Sequence, residues 1–291
     1  MDVSIVLVNY KTYWYLNDCI KSIKDKTHGL DYEIIVVDND SGDNSCEMIQ
    51  NNHPDIILLP STTNLGFGRA NNLGVSVAKG DFVFLLNTDT ILLNNAIKIL
   101  WDYMKTTPLS IGMCCANLYR KDLSPNHSYS LFFPSIFRFF LYRFHIPFHN
   151  EFYNETNQVK KVACVIGADM FIRKDVFEKV NGFDEHFFMY IEDGDLSYRI
   201  NKIGFGAYNI PAAKIIHLQG VSSPTLRKLQ WEIDGYSYYF LKNKSRGSMY
   251  SYIIVEFLSI LSRIAFFFFT RNTSKRLMYQ SALKYLFNKI R

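Results

Sequence analysis

The 291-residue sequence predicts an α/β fold: a mostly parallel central sheet flanked by helices, followed by C-terminal amphipathic helices. Three observations predict it. Short apolar, β-branched runs alternate with stretches of helical spacing through the first part of the chain. Three of those runs end in polar clusters, Asn9-Tyr10, Asp38-Asn39-Asp40 and Asn87-Thr88-Asp89. From Leu226 onward the pattern is helical and contains no Pro.

The elements follow in order. Val3 to Val8 reads as a buried strand, and Leu16, Ile20 and Ile23 recur at helical spacing after it. Glu33 to Val37 is the second strand, stopped by the turn formers Asp38 to Gly42. Ile56 to Leu59 is the third. Phe67 to Ala78 reads as a helix with Ala70, Leu73 and Val77 on one face, and Phe82 to Leu86 is the fourth strand. This rhythm predicts right-handed crossovers between parallel strands. Tyr119 to Asn157 breaks it with a Phe-dense, basic stretch that matches no element; an acceptor-side loop, an oligomer contact and a membrane-facing element all stay open. Val162 to Ile172 returns to β character. Lys174 to Val180 is a short helix closed by Asn181-Gly182, residues suited to a left-handed cap. Asp193 to Ile203 is a helix with Leu196 and Ile200 inward, and Ala207–Ile210 and Lys214–His217 read as closing strands.

Composition narrows the class. The net charge of +5 is mild and does not imply nucleic acid. Aromatics reach 16%, with 24 Phe and 19 Tyr, so some aromatic surface is expected to be covered by something other than the core. The five cysteines are scattered, with no CxxC or Cys/His metal spacing. Buried free thiols in a reducing compartment are the expectation. The N-terminus runs straight into a strand without a basic n-region, which reads as cytoplasmic.

In open α/β sheets, ligands bind at the carboxyl ends of the strands. Each polar cluster taken alone is an ordinary turn; three at one sheet edge suggest a site. A dinucleotide fold needs G-x-G-x-x-G after its first strand, and none stands there. An acid at the end of the second strand can still accept hydrogen bonds from a ribose or a base. A carboxylate at the rim of Phe82 to Leu86 can hold a hard divalent cation together with substrate phosphates. The strongest constellation is Gly182 to Arg199, where Asp184, Glu185, Glu192, Asp193 and Asp195 are interspersed with aromatics. Apolar burial raises a carboxylate's pKa, while a helix N-terminus lowers it; the sequence leaves the outcome open. His217 reads equally as a structural residue or as a ligand.

Together these segments resemble the family 2 glycosyltransferases, specifically their rhamnosyltransferase-like branch. The resemblance rests on Ser4–Tyr10, Ile34–Asn39, Asn64–Gly74, Leu85–Thr90, Gly167–Met170 and Gly182–Arg199, in the expected order. It implies the GT-A (nucleotide-diphospho-sugar transferase) fold over residues 1–225, with a nucleotide-sugar half to about 117 and an acceptor half beyond. By the same resemblance Asp38 binds base and ribose, with Asn9, Tyr10 and Asn39 lining that pocket. Asn64, Gly66, Phe67 and Asn72 lie in the segment flanking the diphosphate. Asn87-Thr88-Asp89 looks like the DxD-type motif, with Asp89, near His217, as the main ligand to Mg²⁺ or Mn²⁺. Thr88 replaces the proline usual in this branch. Asp193, paired with Glu192, matches the base that deprotonates the acceptor. The implied activity is inverting transfer from dTDP-rhamnose, with UDP-hexoses as rivals, onto a saccharide or lipid-linked acceptor of the cell envelope. A catalytically inactive sugar-nucleotide-binding module is the alternative; it would be expected to lack Asp89 or Asp193, and both are present.

Residues 226–291 form the helical appendage. Glu256 and Arg263 interrupt the apolar stretch Tyr250 to Phe269, and a charge at mid-bilayer costs about 2.5–3.5 kcal/mol. Glu256 is also the last acid in the chain, ahead of seven basic residues. A helix lying at the inner face of the plasma membrane is therefore favoured over a buried helix or a span. In the last helix Leu277, Leu283, Leu286 and Ile290 are expected near one face.

Overall fold

The structure is a computed structural model that describes residues 1–147, 151–218 and 225–290. The chain forms two compact units, one of Met1–Phe133, Asn150–Phe188 and Glu192–Gln219, the other of Pro134–His149, Met189–Ile191 and Gly220–Arg291.

The first unit is a mixed sheet with helices against it. β1 (Val3–Asn9), α1 (Tyr13–Lys26), β2 (Tyr32–Asp38), α2 (Ser45–Asn52), β3 (Ile57–Pro60), α3 (Phe67–Ser76) and β4 (Phe82–Leu86) give four parallel strands in the order β3-β2-β1-β4. β1 and β4 are apolar and almost wholly buried, as expected of strands covered on both faces. Leu16, Ile20 and Ile23 of α1 are fully buried against them, each stabilising by about 1.5–3 kcal/mol relative to exposure.

β5 (Thr90–Leu92), α4 (Ala96–Thr106), β6 (Ile111–Tyr119) and β7 (Tyr129–Ser130) come next. They lead to α5 (Ile136–Arg143), β8 (Lys160–Val162), β9 (Cys164–Val165), β10 (Asp169–Arg173), α6 (Lys174–Lys179), α7 (Glu192–Lys202) and β11 (Gly206–His217). β10 inserts antiparallel between β4 and β6, and β11 runs parallel to β6 and antiparallel to β5.

Two sequence expectations change here. The two closing strands are one long strand, β11, whose register shifts between Ile210 and Lys214; the irregularity at Pro211 to Ala213 looked like a break. α3 does not present Leu73 and Val77 inward. Val77 is exposed, while Gly68, Ala70, Gly74 and Val75 are buried. A Cβ on Gly74 would stand 2.4 Å from Val6, so the helix packs too closely on the sheet for a larger residue there.

The second unit is helical: α5 with α8 (Leu226–Asn243), α9 (Arg246–Phe269) and α10 (Thr273–Ile290). The Phe-rich stretch without a predicted element thus supplies a helix to this unit, capped by Ser135, whose hydroxyl accepts from Arg138 N. In α10 Tyr279, Ala282 and Leu286 are buried and Leu277 is exposed, against the expected face.

Candidate active site

The polar strand ends of β1, β2 and β4 meet at one edge of the sheet. Asp38 ends β2 opposite Asn9 of β1. Its Oδ1 accepts from Asn9 Nδ2 (2.7 Å) and from Ser41 Oγ (2.6 Å), and its Oδ2 accepts from Ser41 N (3.2 Å). Asn9 Oδ1 accepts from Thr12 N (3.3 Å) and Thr12 Oγ1 (3.0 Å). Thr12 Oγ1 stands 3.1 Å from Thr88 Oγ1, which ties this cluster to the loop after β4. Asn9 is wholly buried and fixes Asp38. Tyr10 is exposed at the same edge, with Lys11 Nζ over its ring.

Asn39 is also buried. Its Oδ1 accepts from Leu65 N (2.8 Å), and its Nδ2 donates to Asn64 Oδ1 (3.1 Å) and to Gly66 O (3.3 Å). It latches the loop before α3. Gly66 has φ +81° and stands so close to Phe188 that a Cβ would lie 2.3 Å from the Phe188 carbonyl oxygen. Phe67 N donates to that carbonyl (3.0 Å), and its ring lies against Gly167. Asn72 of α3 is anchored to the segment that leads to α7. Both ends of its amide are engaged by Phe183, Nδ2 donating to the carbonyl and Oδ1 accepting the N–H, each at 2.9 Å.

The loop after β4 faces the end of β11. Asp89 O accepts from Leu218 N (2.8 Å), and Thr90 pairs with His217. His217 Nε2 lies 3.3 Å from Asp89 Oδ1 and 3.4 Å from Asn87 Nδ2. Imidazole nitrogen and carboxylate oxygen facing each other across this gap suit a shared divalent cation. Among the described residues no third acid, histidine or cysteine joins them. Two protein ligands suit Mg²⁺ or Mn²⁺, whose other positions go to water and phosphate oxygens. Gly220 to Ser223, just beyond, lie outside the described residues.

Asp193 sits in the first turn of α7. Its Oδ2 accepts from Gly167 N (2.9 Å) and its Oδ1 from Gly194 N (2.7 Å). The neighbouring Ala168 carbonyl accepts from Asn87 N (2.9 Å), so the base candidate and the Asn87–Asp89 loop share one backbone corner. Burial raises the Asp193 carboxyl above the ordinary carboxylate range, and the two N–H groups offset this only in part. The competition left open by the sequence is thereby decided. Glu192 is buried beside it. Asp195 is fully buried in an ion pair with Arg199 (2.7 Å), and Glu185 pairs with Arg69 at 3.6 Å. Of this acidic run, Asp193 is the residue hydrogen-bonded to the corner beside Asn87.

Several neighbours were not singled out from the sequence. Ser41 reads only as one of the turn formers Asp38 to Gly42, and Thr12 carries no signal. Asn126 Nδ2 donates to His217 O (3.2 Å), bringing the 119–130 stretch to the site. His127 next to it is accessible yet recessed; burial holds its imidazole below the ordinary range, against the pull of Asp193. No periodicity marks either residue.

Comparison with known proteins identifies the fold and the family. The fold is shared with GalNAc-T7 solved with UDP, GalNAc and Mn²⁺ (TM-score 0.60, 14% identity, 85% of this chain and 51% of that one). It is shared also with the mannosyltransferase PcManGT of Pyrobaculum calidifontis solved with GDP-Man and Mn²⁺ (TM-score 0.56, 15% identity, 97% and 74%). These define the class as a GT-A glycosyltransferase fold. The glycosyl transferase family 2 model matches residues 4–180, and the chain belongs to that family. The match ends before Glu192, Asp193 and His217. Among its relatives is the N-acetylglucosaminyl-diphospho-decaprenol L-rhamnosyltransferase of Mycobacterium tuberculosis, 27% identical over 203 residues, covering 63% of this chain and 66% of that one. Rhamnosyltransferase WbbL of Escherichia coli K12 is 27% identical over 229 residues, covering 74% and 83%.

Proposed function

We propose that the chain is an inverting glycosyltransferase that moves rhamnose from dTDP-rhamnose, with UDP-hexoses as rival donors, onto a saccharide or lipid-linked acceptor of the cell envelope. The observation that carries this reading is the position of Asp193. Its two oxygens are each fixed by one backbone N–H, which leaves lone pairs on both for an acceptor hydroxyl. Asp89, His217 and Asp38 stand along the same sheet edge.

The proposed reaction is a single displacement. The acceptor oxygen attacks the anomeric carbon, and its proton passes to Asp193. The bond from that carbon to the phosphate oxygen breaks, and the nucleoside diphosphate departs with the electron pair. A raised carboxyl pKa makes Asp193 a stronger base than an exposed aspartate. Asp38, fixed by Asn9 and Ser41, accepts from the nucleoside. Asp89 and His217 would hold Mg²⁺ or Mn²⁺, which supplies charge neutralisation to the diphosphate. In the same reading the chain works peripherally at the inner face of the plasma membrane through its C-terminal helices. The relatives' names support rhamnose as the donor sugar.

The test is incubation of purified protein with dTDP-rhamnose, UDP-glucose and GDP-mannose, with Mn²⁺, in the presence of a membrane extract carrying lipid-linked saccharides. Release of dTDP with a mass increment of one deoxyhexose on the lipid fraction is expected. Turnover only with a hexose donor would overturn the rhamnose assignment, and a normal rate for Asp193→Asn would overturn the base.

A further inference from the structure

α9 turns its two interior charges inward and a row of apolar residues outward. α9 is long and apolar enough to cross a bilayer, yet only 28% of its most apolar window is buried. The two charges in its interior are both engaged within the unit. Glu256 meets Arg143 of α5 in an ion pair (2.8 Å) and a hydrogen bond (3.0 Å). Arg143 also reaches Glu232 of α8 (3.3 Å), and Arg263 Nη2 donates to the Arg143 carbonyl (3.3 Å). Tyr252, Glu256, Ser259 and Ile260 line this packed face. Ile254, Leu258, Leu261 and Phe268 line the opposite one at i, i+4, i+7 and i+14, all exposed, with Phe269 80% exposed. A soluble surface helix has the reverse pattern.

Basic residues border that face. Lys275 and Arg276 of α10 lie over Phe267 (5.4 Å) and Phe268 (5.6 Å), Arg271 is exposed beside them, and no acid follows Glu256. α5, fastened to α9 through Arg143, exposes Phe137, Phe140 and Tyr142. Such a border complements phosphate headgroups; two copies apposed through this face would bring like charges together. A crossing α9 would carry the Arg143–Glu256–Glu232 network and its polar neighbour α8 into hydrocarbon, or break it.

We propose that α9 lies in the plane of an anionic lipid surface. Ile254, Leu258, Leu261 and Phe268 enter the acyl boundary, Arg271, Lys275 and Arg276 meet phosphates, and the aromatic face of α5 inserts with them. This rests on the reading of the C-terminal helices as membrane-associated and adds to it which face of α9 meets the acyl boundary, which basic residues meet phosphates, and that α5 inserts beside them.

The experiment uses the full chain with phosphatidylglycerol-rich or phosphatidylcholine vesicles, and with lipids brominated near the headgroup or deep in the chain. Tryptophan placed by Leu258→Trp or Phe140→Trp reports depth as the quenching gained over the three native tryptophans. Expected are preference for the anionic vesicles, weakening with salt, and stronger quenching by shallow than by deep bromines for both reporters. Leu258→Ser with Leu261→Ser should lower partitioning about tenfold without changing the melting curve. Arg271→Gln with Lys275→Gln, outside the packed face, should weaken anionic binding alone. Deep quenching at Leu258→Trp would overturn the in-plane mode while leaving membrane association standing. Quenching at Leu258→Trp but not Phe140→Trp would remove α5 from the surface. No vesicle binding, with a concentration-dependent dimer, would overturn the membrane reading itself.

Discussion

The two ends of the site are built on opposite plans. At Asp38 nearly every polar atom is engaged within the protein: Asn9, Thr12 and Ser41 are bonded to the carboxylate or to one another, and Asn39 latches the following loop. At Asp193 and at the Asp89–His217 pair, hydrogen-bonding capacity is left open. The closed end holds its shape without a ligand. In the proposed reaction the open end carries the groups whose protonation or coordination would change during transfer, and burial raises the Asp193 carboxyl there. A rigid donor side and a poised reacting side are what a displacement at a fixed anomeric carbon needs.

The largest effect should come from removing the reactive end. Asp193→Asn keeps the size and one of the two N–H contacts, since its NH₂ cannot accept from the other, and it cannot take the proton; kcat is expected to fall by about 10²–10⁴. Nucleotide affinity, read by thermal shift, should hardly move. If binding fell with turnover, the two ends would not be separable as argued. Next, Asp89→Ala should abolish the added thermal stabilisation that Mn²⁺ gives in the presence of nucleoside diphosphate, leaving the metal-free melting point unchanged.

The closed end should answer differently. Asn9→Ala removes a donor from a buried carboxylate and should cost about 1–3 kcal/mol of stability in a denaturant titration. Its effect on transfer should appear in KM rather than kcat.

How much of this was legible follows from locality. β1, β2, β4 and their polar ends were readable because each strand carries its own apolar run and its own stop signal. The acidic run around Asp193 stands out in the sequence, and the sign of its pKa shift does not, since that is set by how deeply the folded chain buries the carboxyl, with Gly167 N, 26 residues away, opposing. The Phe183 partner of Asn72 was not legible, because an amide that suits a phosphate loop suits a distant backbone equally. α3 was misread because Gly68 and Gly74, which lack side chains, form its packed face. α5 had no legible role because its partners, Glu232 and Glu256, lie on helices roughly a hundred residues later. Charges that looked like interruptions of α9 are instead its attachment.

The subtlest prediction tests the open end through pH. The raised folded-state pKa of Asp193 means that the native protein holds its proton where the unfolded chain has already lost it. Folding stability from this group is therefore present at low pH and declines as pH rises from the ordinary carboxylate value through the raised one. Asp193→Asn should remove that decline and so melt slightly higher than the parent at neutral pH, and the parent's kcat/KM should have an acid limb set by the raised Asp193 carboxyl. Asp169 complicates the stability readout. It is fully buried and shifted in the same direction, with one oxygen accepting from Ala116 N. Asp169→Asn in parallel separates them, since it should shift the stability profile and leave the acid limb of transfer in place. An acid limb that moved with Asp169 instead would transfer the poised character from the edge of the sheet to its interior.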